Sequence, residues 1–235
     1  MLGATIVVDN EKKHTWTDWG LKWTSIEISS PNPKTYRIDV PFSDGSIDLT
    51  EALMADVKYE NRNIKLEFEV EGDYYKWEKF YSDFLNFCHG RQVKVILDTD
   101  SSFYWIGRIN LSSTKDDYLY GLVSIELDAD PYKYELTSSL EDWAWDSFSF
   151  ETGIIREYKD LQVNGSLSVN IIGLRKVIYL KVTSSTAMQV IFNNKTYTVP
   201  KGTVELLDIP LKQGDNIITF KGNGTISIDY RGGSL

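Results

Sequence analysis

Residues 64–70 read Ile-Lys-Leu-Glu-Phe-Glu-Val, and residues 73–90 follow with a different spacing of apolar side chains. In the first stretch apolar and charged residues alternate, which predicts a β-strand buried on one face. In the second stretch apolar residues recur three and four apart, which predicts one amphipathic helix of about four turns. Asp73 is placed to cap this helix, and Gly90 to end it in the left-handed conformation. We therefore expect a helix packed on a sheet.

Strand patterns continue on both sides of this pair. Upstream, they lie at residues 24–28, at 36–40 and, after a turn at 44–45, at 47–49. Downstream, strands are predicted at 93–97, 103–109 and 122–127, with a turn at 98–101. The expected architecture is a mostly antiparallel sheet, or β-barrel, with a single α-helix packed against it.

The chain after residue 130 has a purely β pattern. Turn residues punctuate it, among them Asn193-Asn194, Gln213-Gly214 and Gly222-Asn223-Gly224. The short apolar runs between the turns lie at 167–172, 177–182, 189–192, 196–199, 204–207, 217–220 and 225–230. Such regularly spaced strands predict a β-sandwich. The fold class of the whole chain is therefore mainly β.

Charge places a domain boundary at Pro131. Residues 1–130 contain 14 basic and 23 acidic side chains, whereas residues 131–235 contain 11 of each, so the first part carries the entire net charge of −9. Pro131 also ends the strand pattern that precedes it. We expect two domains, residues 1–130 and 131–235.

Composition excludes several kinds of site. Cys88 is the single cysteine, and His14 and His89 are the two histidines, so an intramolecular disulfide is excluded and a His/Cys zinc site lacks ligands. We find neither a secretory signal nor the roughly 20 apolar residues of a membrane span. We therefore expect synthesis in the cytoplasm, no membrane insertion, and no metal or other cofactor.

Catalytic motifs for nucleophilic attack or for phosphate and dinucleotide binding are absent, so we expect no enzyme and assign no catalytic residue. Cys88 and His89 are adjacent, but neighbours on a helix point about 100° apart, and we interpret Cys88 as a core residue. Asp98 and Asp100 resemble the start of a calcium loop without its glycine and glutamate, and a hairpin turn is favoured.

Other conspicuous residues also have structural interpretations. We expect the carboxylate pairs Asp116-Asp117 and Glu141-Asp142 in solvated turns or faces. Trp143 and Trp145 could stack on sugar rings, but their position near the boundary favours packing against the first domain. Four Asn-x-Ser/Thr matches are interpreted as turn sequences, and they begin at Asn110, Asn164, Asn194 and Asn223.

Four local features, in their order and spacing, resemble the distal tail proteins of long, non-contractile-tailed phages, often encoded in prophages of Gram-positive bacteria. The segments are GSIDLT (45–50), FLNFCHGR (84–91), YWIGR (104–108) with DPYKY (130–134), and LKQGDNII (211–218) with ISIDYR (226–231). The resemblance covers nearly the whole chain. It implies a tail-tube-like N-terminal domain that forms a homo-hexameric ring, and a galectin-like or carbohydrate-module-like β-sandwich that projects from it.

This resemblance further implies a structural role in the virion, at the phage tail tip. The ring would be the baseplate hub that joins the tail tube to the tail tip and carries receptor-binding proteins for host attachment. The implied partners are other copies of this chain, the tail tube protein, the tail-tip protein and the receptor-binding protein. DNA would pass through the central channel without binding, and an acidic first domain suits such a channel because it repels phosphates.

An alternative function stays open: a non-catalytic carbohydrate-binding protein that recognises bacterial cell-wall glycans through the C-terminal β-sandwich. The leucine-x-x-glycine-x-asparagine turn at residues 211–216 recurs in many sugar-binding sandwiches. This alternative requires exposed aromatic side chains beside polar ones on one sheet face. The sequence identifies no particular binding residue.

Overall fold

The computed structural model describes residues 1–54, 56–115, 117–140 and 158–235. Contacts divide the chain into two compact units. Unit 1 comprises Met1–Asp100 and Tyr104–Pro131, and unit 2 comprises Ser101–Phe103 and Tyr132–Leu235. Both units consist mainly of β-strands, which confirms the predicted fold class. Among the described residues, no helix has the length and apolar character needed to cross a membrane.

Unit 1 is built on an antiparallel sheet. In chain order its strands are β1 (Ala4–Val8), β2 (Glu11–His14), β3 (Lys22–Ile28), β4 (Pro33–Lys34), β5 (Arg37–Asp39), β6 (Ser46–Asp48), β7 (Lys58–Tyr59), β8 (Arg62–Glu71), β9 (Gln92–Leu97), β10 (Phe103–Thr114) and β11 (Tyr120–Ala129). Seven of them follow the order β2-β1-β9-β10-β11-β8-β3. Ile64, Leu66, Phe68 and Val70 of β8 are all buried, which confirms the predicted alternation.

One long helix covers a face of this sheet. Helix α2 (Tyr74–Cys88; α1 is described below) begins at Asp73, whose Oδ1 accepts a hydrogen bond from the Lys76 N–H at 3.0 Å. Past its end, Gly90 has a φ of +72°, so both predicted helix boundaries are confirmed. Trp77 and Phe84 are buried in the same core as the inward side chains of the sheet. Apolar periodicity alone therefore places the helix on the sheet.

Residues 29–60, here called the arm, interrupt the hairpin formed by β3 and β8. Within the arm β4 pairs with β7, β5 pairs with β6, and a short helix α1 (Thr50–Met54) follows. The predicted strands at 36–40 and 47–49 exist as β5 and β6, but they form a separate ribbon outside the main sheet. The single helix expected on the sheet is α2. Helix α1 lies in the arm, outside the core, and was not predicted because one turn leaves no periodic pattern to detect.

Unit 2 is built on an antiparallel sheet and has a core of its own. Its strands are β12 (Lys133–Glu135), β13 (Leu161–Gly173), β14 (Ile178–Ser184), β15 (Met188–Phe192), β16 (Lys195–Val199), β17 (Gly202–Leu211), β18 (Gly214–Asp229) and β19 (Gly233–Ser234). Five of them follow the order β16-β15-β18-β14-β17, and β13 runs along β18. Buried side chains from both ends of this order belong to one core cluster.

Strand β18 corrects one prediction from the sequence. We expected a turn at Gly222-Asn223-Gly224 between two short strands, but β18 continues through these residues and pairs with all 13 residues of β13. Gly222 and Gly224 have φ values of +146° and +143°, which other residues rarely adopt. This lets β18 pair first with β15 and then with β14.

Candidate assembly surfaces

Cys88 is a core residue, as predicted. Its side chain is fully buried, and its Sγ lies 3.5 Å from the Phe84 carbonyl oxygen. Burial raises the pKa of the Cys88 thiol to about 12, so the thiol stays protonated near neutral pH. The Nδ1 of His89 accepts a hydrogen bond from the Leu111 N–H at 3.1 Å instead of activating the thiol.

The segment around Asp98 is a structural turn. Asp98 and Asp100 lie in a single 3₁₀ turn between β9 and β10, so the predicted hairpin turn is confirmed. The Asp98 Oδ2 accepts a hydrogen bond from the Gly3 N–H at 2.8 Å and lies 3.1 Å from the Nε2 of His14. In the part of the chain that the structure describes, no group of three potential metal ligands is found.

The turn interpretation of the Asn-x-Ser/Thr matches holds at one position. Asn194 lies between β15 and β16 with a φ of +61°. Asn110 lies within β10, and Asn164 and Asn223 face each other across β13 and β18, so the interpretation is wrong for these three. The remaining candidates Asp116, Glu141, Asp142, Trp143 and Trp145 lie outside the described residues.

The arm exposes apolar side chains and has no core. None of its described residues belongs to either core cluster, and the one that is buried, Thr50, is polar. Its exposed apolar side chains are Tyr36, Ile38, Val40, Phe42, Ile47 and Leu53. Ile38 and Ile47 are directly opposite each other in the ribbon, so at least two of these side chains are neighbours. Clustered exposed apolar side chains are typical of surfaces that contact another protein.

Phe42, at the tip of the β5–β6 ribbon, is the most conspicuous of these side chains. It is fully exposed, and its φ of +66° is a left-handed conformation that bulky residues avoid. A solvent-exposed apolar ring held in a strained backbone is unfavourable in the isolated chain. Such strain is characteristic of functional positions, and here it supports a contact site at the tip.

Polar contacts hold the base of the ribbon. The Thr50 hydroxyl accepts a hydrogen bond from the Tyr36 N–H at 2.9 Å and donates to Oδ1 of Asp48 at 2.5 Å. Asp48 also lies 3.5 Å from Nε of Arg37 across the ribbon. Hydrogen bonds from Thr50, aided by Arg37, hold the pKa of Asp48 below its ordinary value. The ribbon is therefore ordered by its base and not by burial of its apolar side chains.

The main sheet of unit 1 ends in two different strands. Strand β2 is at one end of the order and β3 at the other, and within the described residues neither has a strand on its outer side. Ile26 and Ile28 on β3 are exposed. Unpaired edges invite pairing with another chain unless they are covered.

On the side away from α2, the surface formed by β3, β8 and β11, here called the acidic sheet face, carries an excess of carboxylates. On β3, β8 and β11 the alternation turns six carboxylates and two lysines to this face: Glu27, Glu67, Glu69, Glu71, Glu126 and Asp128, with Lys22 and Lys65. Hydrogen bonds from Lys65 and Ser25 lower the pKa of Glu67, so this carboxylate stays ionised. Negative charge therefore concentrates on these three strands, whereas β2, β9 and β10 turn Lys12, Lys94 and Arg108 to the same side of the sheet.

Sequence reasoning located the total charge of this domain but missed the surface of the arm. The alternation at residues 36–40 indicated a strand without showing that both of its faces meet solvent. The sequence did contain one signal. The large apolar residues Phe42 and Ile47 lie on either side of the polar stretch Ser43-Asp44-Gly45, whereas loops exposed to solvent usually lack such residues.

Comparison with solved structures finds chains of similar fold. The chain is similar to the SPP1 Dit protein, whose crystal structure is described as a paradigm of the hub adsorption apparatus in Gram-positive infecting phages. The TM-score is 0.60 at 13% sequence identity, over 97% of this chain and 98% of that chain. No family model matches the sequence. No curated protein matches it either.

Proposed function

We propose that this chain is a structural hub protein of a phage tail, whose copies assemble into a ring between the tail tube and the tail tip. The likeness to SPP1 Dit carries the proposal, because it extends over almost the full length of both chains. A shared single module would cover one unit only. The assembly surfaces of unit 1 support the same function independently.

The two free edges of the sheet support a ring of identical subunits. In a head-to-tail assembly each copy uses two different surfaces, and the contacts form a closed ring when the rotation between neighbours closes. Strand β2 of one copy would lie beside β3 of the next, so that no edge is left open. We propose that the ring contains six copies and that residues 1–130 of each copy form it.

The arm would complete each contact between neighbours. It leaves the sheet at the end of β3, which is one of the two edges involved. Full burial of one large apolar side chain contributes about 1.5–3 kcal/mol, so covering even part of the arm would stabilise the contact substantially. In this proposal Phe42 is exposed in the single chain because the surface that covers it belongs to a neighbouring copy.

The acidic sheet face would line the channel. Repeated around a ring, its excess of carboxylates gives a negative wall that repels DNA phosphates, so the genome passes without adhering. Unit 2, with residues 131–235, would carry the receptor-binding proteins. The other partners in this proposal are the tail tube and tail-tip proteins of a phage, or prophage, of a Gram-positive host.

Native mass spectrometry of the purified protein tests this function. A 26.9 kDa chain should give a species of six subunits whose population grows with concentration. If the protein alone does not assemble, adding the tail tube protein of the same virus should provide the template. A monomer under both conditions would contradict the proposal.

A further inference from the structure

A groove of about 540 Å³ opens in unit 2 where two hairpins meet. The β15–β16 hairpin contributes Lys195 and Tyr197, and the β17–β18 hairpin contributes Asp208, Pro210 and Ile217. The volume lies within the range of roughly 300–1,000 Å³ that is usual for small-molecule sites. The groove lies outside the assembly surfaces of unit 1.

A buried side chain fixes one wall of the groove. The Nδ2 of Asn216 lies 2.8 Å, 2.9 Å and 3.1 Å from the carbonyl oxygens of Lys212, Gly214 and Ile171. Its Oδ1 accepts a hydrogen bond from the Lys212 N–H at 3.2 Å. These contacts order the turn between β17 and β18, so the neighbouring rim residues Lys212 and Asp215 have defined positions.

The rim carries charges that are not used inside the protein. Within the described residues, the side chains of Lys195, Asp208 and Lys212 form neither a hydrogen bond nor an ion pair, although they line one groove. Asp215 accepts a single hydrogen bond, from Nδ2 of Asn170 at 2.8 Å. Two cations and two anions leave the groove without net charge but rich in donors and acceptors.

Apolar surface lies beside these charges. Tyr197 is half-buried and packs partly on the core, which holds its ring in place, while Pro210 and Ile217 are exposed. A sugar ring offers the matching chemistry, with an apolar C–H face and an edge of hydroxyl groups. Hydroxyls both donate to carboxylates and accept from ammonium groups. A polyanion would instead meet two carboxylates in the same groove.

Strand addition by a peptide fits the groove less well. Its walls include β16 and β17, the end strands of the sheet order in unit 2. Pro210 removes a donor from β17, and Lys195 begins β16 with a charge, both of which discourage pairing with another strand. The side chains of the groove, rather than its backbone, are therefore the groups offered to a ligand.

We propose that this groove binds a neutral oligosaccharide. Tyr197 packs against the face of one sugar ring, Asp208 and Asp215 accept hydrogen bonds from its hydroxyls, and Lys195 and Lys212 donate to them. This activity goes beyond the hub function and does not depend on ring assembly. It gives unit 2 a direct contact with glycans on a cell surface.

A glycan array with the full-length protein, followed by NMR titration, tests the proposal. The array presents neutral bacterial oligosaccharides built from glucose, galactose and N-acetylglucosamine, and a ribitol phosphate oligomer as the anionic comparison. The strongest neutral ligand is then titrated into the wild type, Tyr197→Ala and Asp208→Asn. Tyr179→Ala, on an exposed tyrosine of β14, and Glu205→Gln, on β17, are the matched controls, because both positions lie outside the groove.

We expect chemical-shift changes at groove residues, and roughly tenfold weaker binding or more in both groove variants but in neither control. Three outcomes would overturn the proposal: no neutral sugar binds, binding is unaffected in Tyr197→Ala, or the anionic oligomer binds better than any neutral sugar. Ring assembly should be normal in both groove variants, so failure of sugar binding leaves the hub proposal intact. Loss of the ring alone would likewise leave this proposal standing.

Discussion

The hydroxyl of Thr50 donates a hydrogen bond to Oδ1 of Asp48 at 2.5 Å and so joins the end of β6 to the first turn of α1. The same hydroxyl accepts a hydrogen bond from the Tyr36 N–H, just before β5. One side chain therefore closes the base of the ribbon whose tip carries Phe42. The order of this apolar arm depends on a few polar contacts, since burial does not stabilise it.

Acid should loosen the base of the arm before unit 1 unfolds. The pKa of Asp48 is lowered in the folded chain, so its contribution is present above the ordinary pKa of 3.8 and is lost as the pH falls through the lower folded-state value. NMR should show that the protection factor of the Tyr36 amide against hydrogen exchange falls over that pH range. Asp48→Asn should remove this pH dependence, whereas Asp44→Asn in the same ribbon should retain it. Equal pH dependence in both variants would contradict the role of Asp48.

Polar substitution on the ribbon should prevent assembly without unfolding the chain. Phe42→Ser and Ile38→Ser remove exposed apolar surface that the proposed contact buries, so self-association should weaken by about tenfold or more for each. Sedimentation velocity measures this, and the thermal unfolding temperature should stay near that of the wild type. Leu207→Ser, at an exposed leucine of unit 2, is the control and should assemble normally. If all three variants lose self-association equally, the cause is a general effect on solubility and not the loss of this contact.

Charge reversal on the acidic sheet face should make an assembled ring bind DNA. Glu69→Lys with Glu126→Lys puts cations on the proposed channel wall, and binding should weaken steeply with added salt. A gel-shift assay at low salt measures it. The control pair Glu78→Lys and Asp83→Lys on α2 changes the total charge equally and should bind DNA more weakly. The channel assignment fails if the α2 pair binds DNA better.

The contact between α2 and β11 leaves no room for a methyl group at Gly121. A Cβ built there would lie 2.4 Å from the buried ring of Trp77. Gly121→Ala should therefore lower the free energy of unfolding by about 1–3 kcal/mol, measured by urea denaturation. Gly72→Ala is the matched control, because a Cβ at Gly72 meets no atom within 4 Å. Equal stability of both variants would mean that the Trp77 ring can move aside.

Native Cys88 should not react with thiol reagents. Burial raises the pKa of its thiol to about 12, so both the thiolate and access to it are lacking near neutral pH. Iodoacetamide should modify the protein only after denaturant is added. Rapid labelling of the native chain would contradict the placement of Cys88 in the core.

Sequence reasoning succeeded where one periodic pattern determines one element. The alternation in β8, the apolar spacing of α2 and its boundaries at Asp73 and Gly90 all depend on local chemistry. It failed at residues 222–224, where Gly-Asn-Gly indicates a turn locally. There Asn223 of β18 pairs with Asn164 of β13, which continues the strand. Pairing with a distant segment therefore outweighs the local preference for a turn.

The candidate surfaces were mostly beyond sequence reasoning. The acidic character of residues 1–130 was visible, but its placement on one face requires the register of β3, β8 and β11. The groove in unit 2 combines side chains from β16, β17 and β18, and no short motif joins Tyr197 to Asp208. Trp143 and Trp145, the aromatic residues that the sequence singled out, lie outside the described residues.

Electron microscopy of the purified protein tests the central claim most directly. The account predicts a sixfold ring with a central hole, in which β2 and β3 of neighbouring copies lie side by side, the arm covers the next subunit, and Glu69 and Glu126 face the hole. A ring with these carboxylates on its outer wall, or single particles of one subunit with and without the tail tube protein, would contradict it.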